Sequence, residues 1–165
     1  MIKPRRRWIP EGRGLSSARL IAVQALYRLE LAGGTPEEAV EQAKEFAHRI
    51  GDEIDDFELI DPDPFLTKCL VHGVIDQSKN IDQLIDAALT ENRSTDRLET
   101  LLRITIRAGV YEILDRTEID PPIVINEYVD IAKAFFAYKE PALVNGVLDS
   151  LARKLRPNES MDSRV

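Results

Sequence analysis

Few side chains in this 165-residue chain are of a type that could do chemistry, and their spacing argues against catalysis. Between Asp52 and Asp63 stand seven carboxylates, Asp52, Glu53, Asp55, Asp56, Glu58, Asp61 and Asp63, enough oxygen ligands for a hard cation. The run lacks the central glycine and terminal glutamate of an EF-hand, and Phe57, Leu59 and Ile60 interrupt it, so it reads as a solvated acidic loop. His72 and Asp76 are one helical turn apart, but no second ligand pair follows and His48 falls in a different helix, which leaves a zinc sphere unfilled. The lone cysteine, Cys69, stands in an apolar helical context with no cationic neighbourhood to stabilise a thiolate. No glycine-rich phosphate loop and no Ser/His/Asp or Cys/His set is present, so neither an enzyme nor a cofactor is expected.

What remains is the chemistry of binding. Arg5, Arg6 and Arg7 stand directly before Trp8, the only tryptophan, and Arg13 extends the run. Guanidinium groups suit phosphates, and an exposed indole suits an unpaired base. Residues 1–30 carry seven basic groups against two acidic ones, a net +5, within a chain whose total is −7; the remainder is therefore −12. An acidic body excludes a protein that coats nucleic acid indiscriminately, while the basic end could direct an acidic partner locally. No apolar run reaches the roughly 18 residues of a membrane span and no signal-peptide core follows the basic start, so no membrane contact and a cytoplasmic location are expected.

The elements that must position these residues are helical. Pro4, Pro10, Gly12 and Gly14 make residues 1–14 a flexible basic arm. Ser16 or Ser17 is a helix cap, and the apolar series Ala18, Ala22, Ala25, Leu26 and Leu29 runs to the stop at Gly33-Gly34. Thr35-Pro36-Glu37-Glu38 is a capping box for a helix through about Arg49. Asp63-Pro64 starts the next, with Asn80 separating it from a following helix. Ser94 or Thr95 caps a largely buried helix from about Asp96 to Leu114, in which Gly109 implies close packing against a neighbour. Asp120-Pro121 and Glu140-Pro141 start the two arms of a helical hairpin around a turn at residues 137–140. Val124, Tyr128, Ile131 and Phe135 face Leu143, Val147, Leu148 and Leu151 across it. The expected fold is all-α, with six to seven helices in two packed three-helix-like subdomains, 15–92 and 93–157, and a disordered tail at 158–165.

Helix propensity does not account for the polar residues inside that hairpin, Asn126, Glu127, Asn145 and Gly146. Their expected role is structural, with the two asparagines bonded to each other or to nearby backbone, because buried polar groups find internal partners. The run Ile125-Asn126-Glu127 through Ala132-Lys133, followed by Val144-Asn145-Gly146-Val147-Leu148-Asp149, resembles the NusB family. Two further blocks are similar to it: Ala18-Arg19 through Ala22-Val23-Gln24-Ala25-Leu26-Tyr27, and Ile106-Arg107 through Tyr111-Glu112. The resemblance implies a small helical factor of bacterial transcription antitermination. With the ribosomal protein NusE, such a factor binds the boxA element of nascent rRNA leaders and serves the RNA polymerase antitermination complex. It implies RNA contact at Arg19 and partner-protein contact at Tyr27.

This chain departs from the family pattern in three places. The arginine triplet lies about ten residues before the position of the family's basic run, which Leu15-Ser16-Ser17 occupies. Lys139 replaces an acid on a surface that the family places near RNA, where Tyr138 adds an aromatic for stacking or partner contact. Leu102 stands near the family's partner-contacting acid, with Glu99 the nearest substitute. The competing reading is a helical protein-binding adaptor, or a homodimer, without an RNA role. The RNA-binding module of rRNA cytosine methyltransferases is also NusB-like, but no methyltransferase domain is expected here.

Overall fold

The computed structural model describes residues 14–53, 60–90 and 92–158. The predicted basic arm with Arg5, Arg6, Arg7, Trp8 and Arg13, most of the acidic run, and all but Asn158 of the predicted tail lie outside the described residues. Among the described residues the chain forms seven α-helices, one 3-10 turn and no strand. The helices are α1 (Leu15–Ala32), α2 (Pro36–Glu53), α3 (Pro64–Asp76), α4 (Ser78–Ala88), α5 (Thr100–Asp115), α6 (Pro121–Phe135) and α7 (Lys139–Leu155). They divide into two units, Met1–Cys69 and Leu70–Val165, and the division falls inside α3.

A glycine opens α1 in the first unit, in place of the expected serine cap. Gly14 adopts a left-handed conformation (φ 77°, ψ 11°) that L side chains avoid. Its carbonyl accepts from the N–H of Ala18 at 2.9 Å and of Asp63 at 3.0 Å, and a Cβ there would collide with the Asp61 carbonyl. Ser16 and Ser17 are consequently buried inside the first turn, with neither acting as a cap. Gly33 ends the helix where the sequence predicts, its N–H returning to the Leu29 carbonyl. Small residues line the packing of α1 on α2: Ala18, Ala22 and Ala25 on one helix, Ala39, Ala43 and Ala47 on the other.

The capping box before α2 is present in both halves. Glu38 N–H donates to Thr35 Oγ1 at 3.2 Å and Thr35 N–H to Glu38 Oε2 at 3.3 Å. At the start of α3 Asp63 Oδ1 accepts from Leu66 N–H at 2.7 Å. Phe46 of α2 is flanked by the guanidinium groups of Arg28 and Arg49, each 5.5 Å from its ring centre.

The second unit is built on the α6–α7 hairpin, against which α5 packs, with α4 on α5 and α7. These contacts place α4 with the C-terminal helices, in the unit that begins at Leu70. Ile104, Ile106 and Ile113 of α5, Val124, Ile125 and Tyr128 of α6, and Leu148 and Leu151 of α7 are each 2% exposed or less. Burying an aliphatic side chain of this size contributes about 1.5–3 kcal/mol, which makes this cluster the main stabilising feature of the unit.

Gly109 packs as its position in the sequence predicts. A Cβ at Gly109 would lie 2.8 Å and 2.9 Å from the two methyls of Leu148, and 3.2 Å from the Tyr128 ring. Tyr128 O–H donates to the wholly buried Glu112 carboxylate at 2.8 Å. Arg107 donates to both carboxylate oxygens of Asp82 at 2.7 Å, joining α5 to α4. Arg156, at the end of α7, donates to the Thr117 carbonyl and the Ile119 carbonyl at 2.8 Å each, fixing the loop between α5 and α6.

Three boundaries differ from expectation. The break after α3 is at Gln77, and Asn80 lies inside α4. Thr95 sits in a 3-10 turn (Thr95–Arg97) held by Asp86, and α5 starts only at Thr100. Lys139, not Pro141, is the first residue of α7.

Candidate nucleic-acid interface

The hairpin turn is short: Phe136 caps α6 and Tyr138 caps α7. Side chains on either side of the turn leave the core. Phe135, expected in the apolar stripe, is 43% exposed, and Tyr138 is 94% exposed. Lys133 and Lys139 are exposed, and neither forms an ion pair among the described residues. Two aromatic rings and two such ammonium groups thus lie within seven residues of sequence at one end of the hairpin. Stacking platforms beside cationic groups are what unpaired nucleotides require.

The outer face of α7 continues this arrangement. Tyr138 already has right-handed helical angles (φ −63°, ψ −32°), so helical spacing applies from it onward. At about 100° per residue, Tyr138, Lys139, Asn145 and Gly146 fall within roughly a third of the helix circumference, over about 12 Å of its length. All four are exposed. Asp149, on the same side, is half-buried and pairs with Arg153 at 3.1 Å, so its charge is offset locally.

The asparagines do not play the internal part expected of them. Asn126 and Asn145 are exposed, and among the described residues no side-chain hydrogen bond joins either to another residue. Their positions on the outer sides of α6 and α7 put them in water, so the argument from buried polar groups does not apply. Gly146 likewise makes no internal contact: a Cβ there would meet nothing within 4 Å. Gly73 and Gly109 differ from it, because the Tyr111 ring and the Leu148 methyls occupy the space where their Cβ atoms would stand. Glu127 is half-buried on α6.

Other predicted residues are distributed differently. Arg19, near the start of α1, is only 2% exposed. Tyr27 is half-buried on α1. Glu99 is exposed, but its carboxylate is engaged as the cap of α5, accepting from Leu102 N–H at 3.1 Å. Leu102 itself is buried core. Arg5, Arg6, Arg7 and Arg13 lie outside the described residues. Sequence reasoning missed Lys133 and Phe135, although Lys133 stands inside the matched motif and Phe135 ends its helix one residue before the turn. Among the described residues no cluster of three or more potential metal ligands occurs, and no helix is long and apolar enough to cross a membrane.

Comparison with known proteins gives a consistent result. The sequence model of the NusB family matches residues 16–153. The transcription antitermination protein NusB of Brucella anthropi is 43% identical over 139 residues, covering 84% of this chain and 82% of that protein. Its counterpart in Agrobacterium fabrum is 38% identical over 154 residues, covering 93% and 92%. Among solved structures, NusB from T. maritima shares the fold, with a TM-score of 0.67 at 24% identity over 93% of this chain and 94% of that one. A crystal structure of the antitermination factors NusB and NusE in complex with double-stranded RNA matches with a TM-score of 0.67 and 28% identity, over 84% of this chain and 96% of that one.

Proposed function

The chain belongs to the NusB family, and from that we propose that it is an RNA-binding transcription antitermination factor. It acts with the ribosomal protein NusE on boxA-type RNA in nascent rRNA leaders, within the RNA polymerase antitermination complex, and promotes read-through. It works in the cytoplasm by binding alone, without catalysis. The observation that carries this reading to particular residues is the exposed pair at the start of α7: Tyr138, 94% exposed, beside Lys139, which has no ion-pair partner among the described residues. Such a lysine in an otherwise acidic protein supplies local attraction for phosphate, and the neighbouring ring supplies a stacking surface. Phe135 and Lys133 extend the same end of the hairpin.

The test is fluorescence anisotropy of a short labelled boxA-type RNA against a scrambled control, at two salt concentrations, with and without NusE. Sequence-selective binding that tightens with NusE is the expected result. Lys139→Glu should weaken binding about tenfold and make the log–log salt dependence shallower, by about 0.7 for each phosphate no longer neutralised. Equal affinity for both RNAs would reduce the interaction to charge alone. Absence of RNA binding would favour a protein-binding adaptor.

A further inference from the structure

Gly146 is a cost to the fold that nothing inside the fold offsets. A glycine in a helix interior is unfavourable relative to alanine, and is tolerated where a neighbour needs the missing Cβ space. Gly73 and Gly109 have such neighbours in Tyr111 and Leu148, whereas Gly146 faces open space. Beside it Asn145 is exposed, with its amide donors and acceptor unused among the described residues. Both share the outer face of α7 with Tyr138 and Lys139. We infer that Asn145 and Gly146 form the base-reading position of the RNA site, where a single-stranded nucleotide lies flat against the bare backbone of α7 at Gly146 while the Asn145 amide pairs with its base edge.

This rests on the RNA-binding reading and deepens it by separating two roles on one helix. Lys139 and Tyr138 recognise features that every nucleotide has, a phosphate and a π-face, and so contribute affinity without choice of sequence. An asparagine amide offers a donor and an acceptor in fixed relation, which matches some base edges and mismatches others. A methyl at position 146 would stand where the nucleotide must approach. The occupant is assigned as RNA because the lysine and the exposed ring on the same face complement a phosphate strand.

The experiment uses the full chain, with boxA-type and scrambled single-stranded RNAs as probes, and reads affinity, salt slope and melting temperature together. Wild type is measured first: failure to distinguish the two RNAs would overturn the proposed function and this inference with it. Given a selective wild type, Asn145→Ala should lose roughly tenfold in discrimination while keeping the wild-type salt slope. Gly146→Ala should melt higher than wild type yet bind boxA-type RNA about tenfold more weakly, two changes in opposite directions that a purely structural glycine would not give. Variants that bind both RNAs as wild type does would overturn the inference and leave the proposed function standing. So would variants that lose NusE affinity alone, which would make this face a protein-docking surface.

Discussion

Gly109 and Gly146 are the same residue type in neighbouring helices of one unit, and their surroundings give substitutions of opposite sign. Alanine at 109 gains about 1 kcal/mol of helix propensity but drives a methyl into Leu148 and Tyr128, where overpacking a filled core costs about 1–3 kcal/mol. Leu148 is wholly buried. We expect Gly109→Ala to lower stability by roughly 1–2 kcal/mol in urea denaturation, whereas alanine at the open position 146 should raise it. The packing role of Gly109 was legible in the sequence, because a glycine inside an apolar helical series must make room for something. The exposure of Asn126, Asn145 and Gly146 was not, since periodicity places residues on a face without stating which face a neighbour covers.

At the scale of elements, the link between α4 and α5 carries a charge whose effect on stability can be signed. Asp86 accepts from the Thr95 hydroxyl at 2.6 Å and from the Thr95 N–H at 2.7 Å. The hydroxyl bond first, and the backbone bond second, hold the Asp86 carboxyl below the usual aspartate value of 3.8, with burial opposing weakly. A carboxyl depressed in the folded state stabilises above its unfolded pKa, and that stabilisation is lost as pH falls from about 4 through the folded value. Thr95 is 1% exposed, so Thr95→Val keeps the packing and removes one hydrogen bond, at a cost of about 1–2 kcal/mol at neutral pH. Melting temperatures from pH 7 down to pH 2 should therefore show the variant below wild type at neutral pH and the two curves converging in acid; parallel curves would mean that the Asp86 bonds do not couple to stability. The Thr35 and Asp63 caps were readable because a cap is local, a side chain answering a backbone group three residues away. The 3-10 turn at Thr95 depends on a partner nine residues earlier, and α1 starts at Gly14 because residues 61–63 lie against it; neither distance is visible to a rule about neighbouring residues.

At the scale of the whole molecule, the second unit begins inside α3 and takes in α4. Before the expected subdomain boundary at 92/93, α4 packs on α5 and α7, a tertiary contact that no rule about neighbouring residues reports. Charge distribution, in contrast, is fixed by sequence whatever the packing. Residues 1–13 hold five basic groups and one acidic one, so removing them takes the net charge from −7 to −11. If this arm contacts RNA, it does so as a polycation meeting phosphates, and such contacts are indifferent to sequence. Deleting residues 1–13 should then weaken binding to boxA-type and scrambled RNA by the same factor and make both salt slopes shallower, by about 0.7 per phosphate released. Selectivity, the ratio of the two affinities, should survive the deletion, because the residues assigned to it lie on α7. A deletion that abolished selectivity but left the slope intact would move sequence recognition from the hairpin to the arm, while one that changed neither would leave the arm without a part in RNA binding.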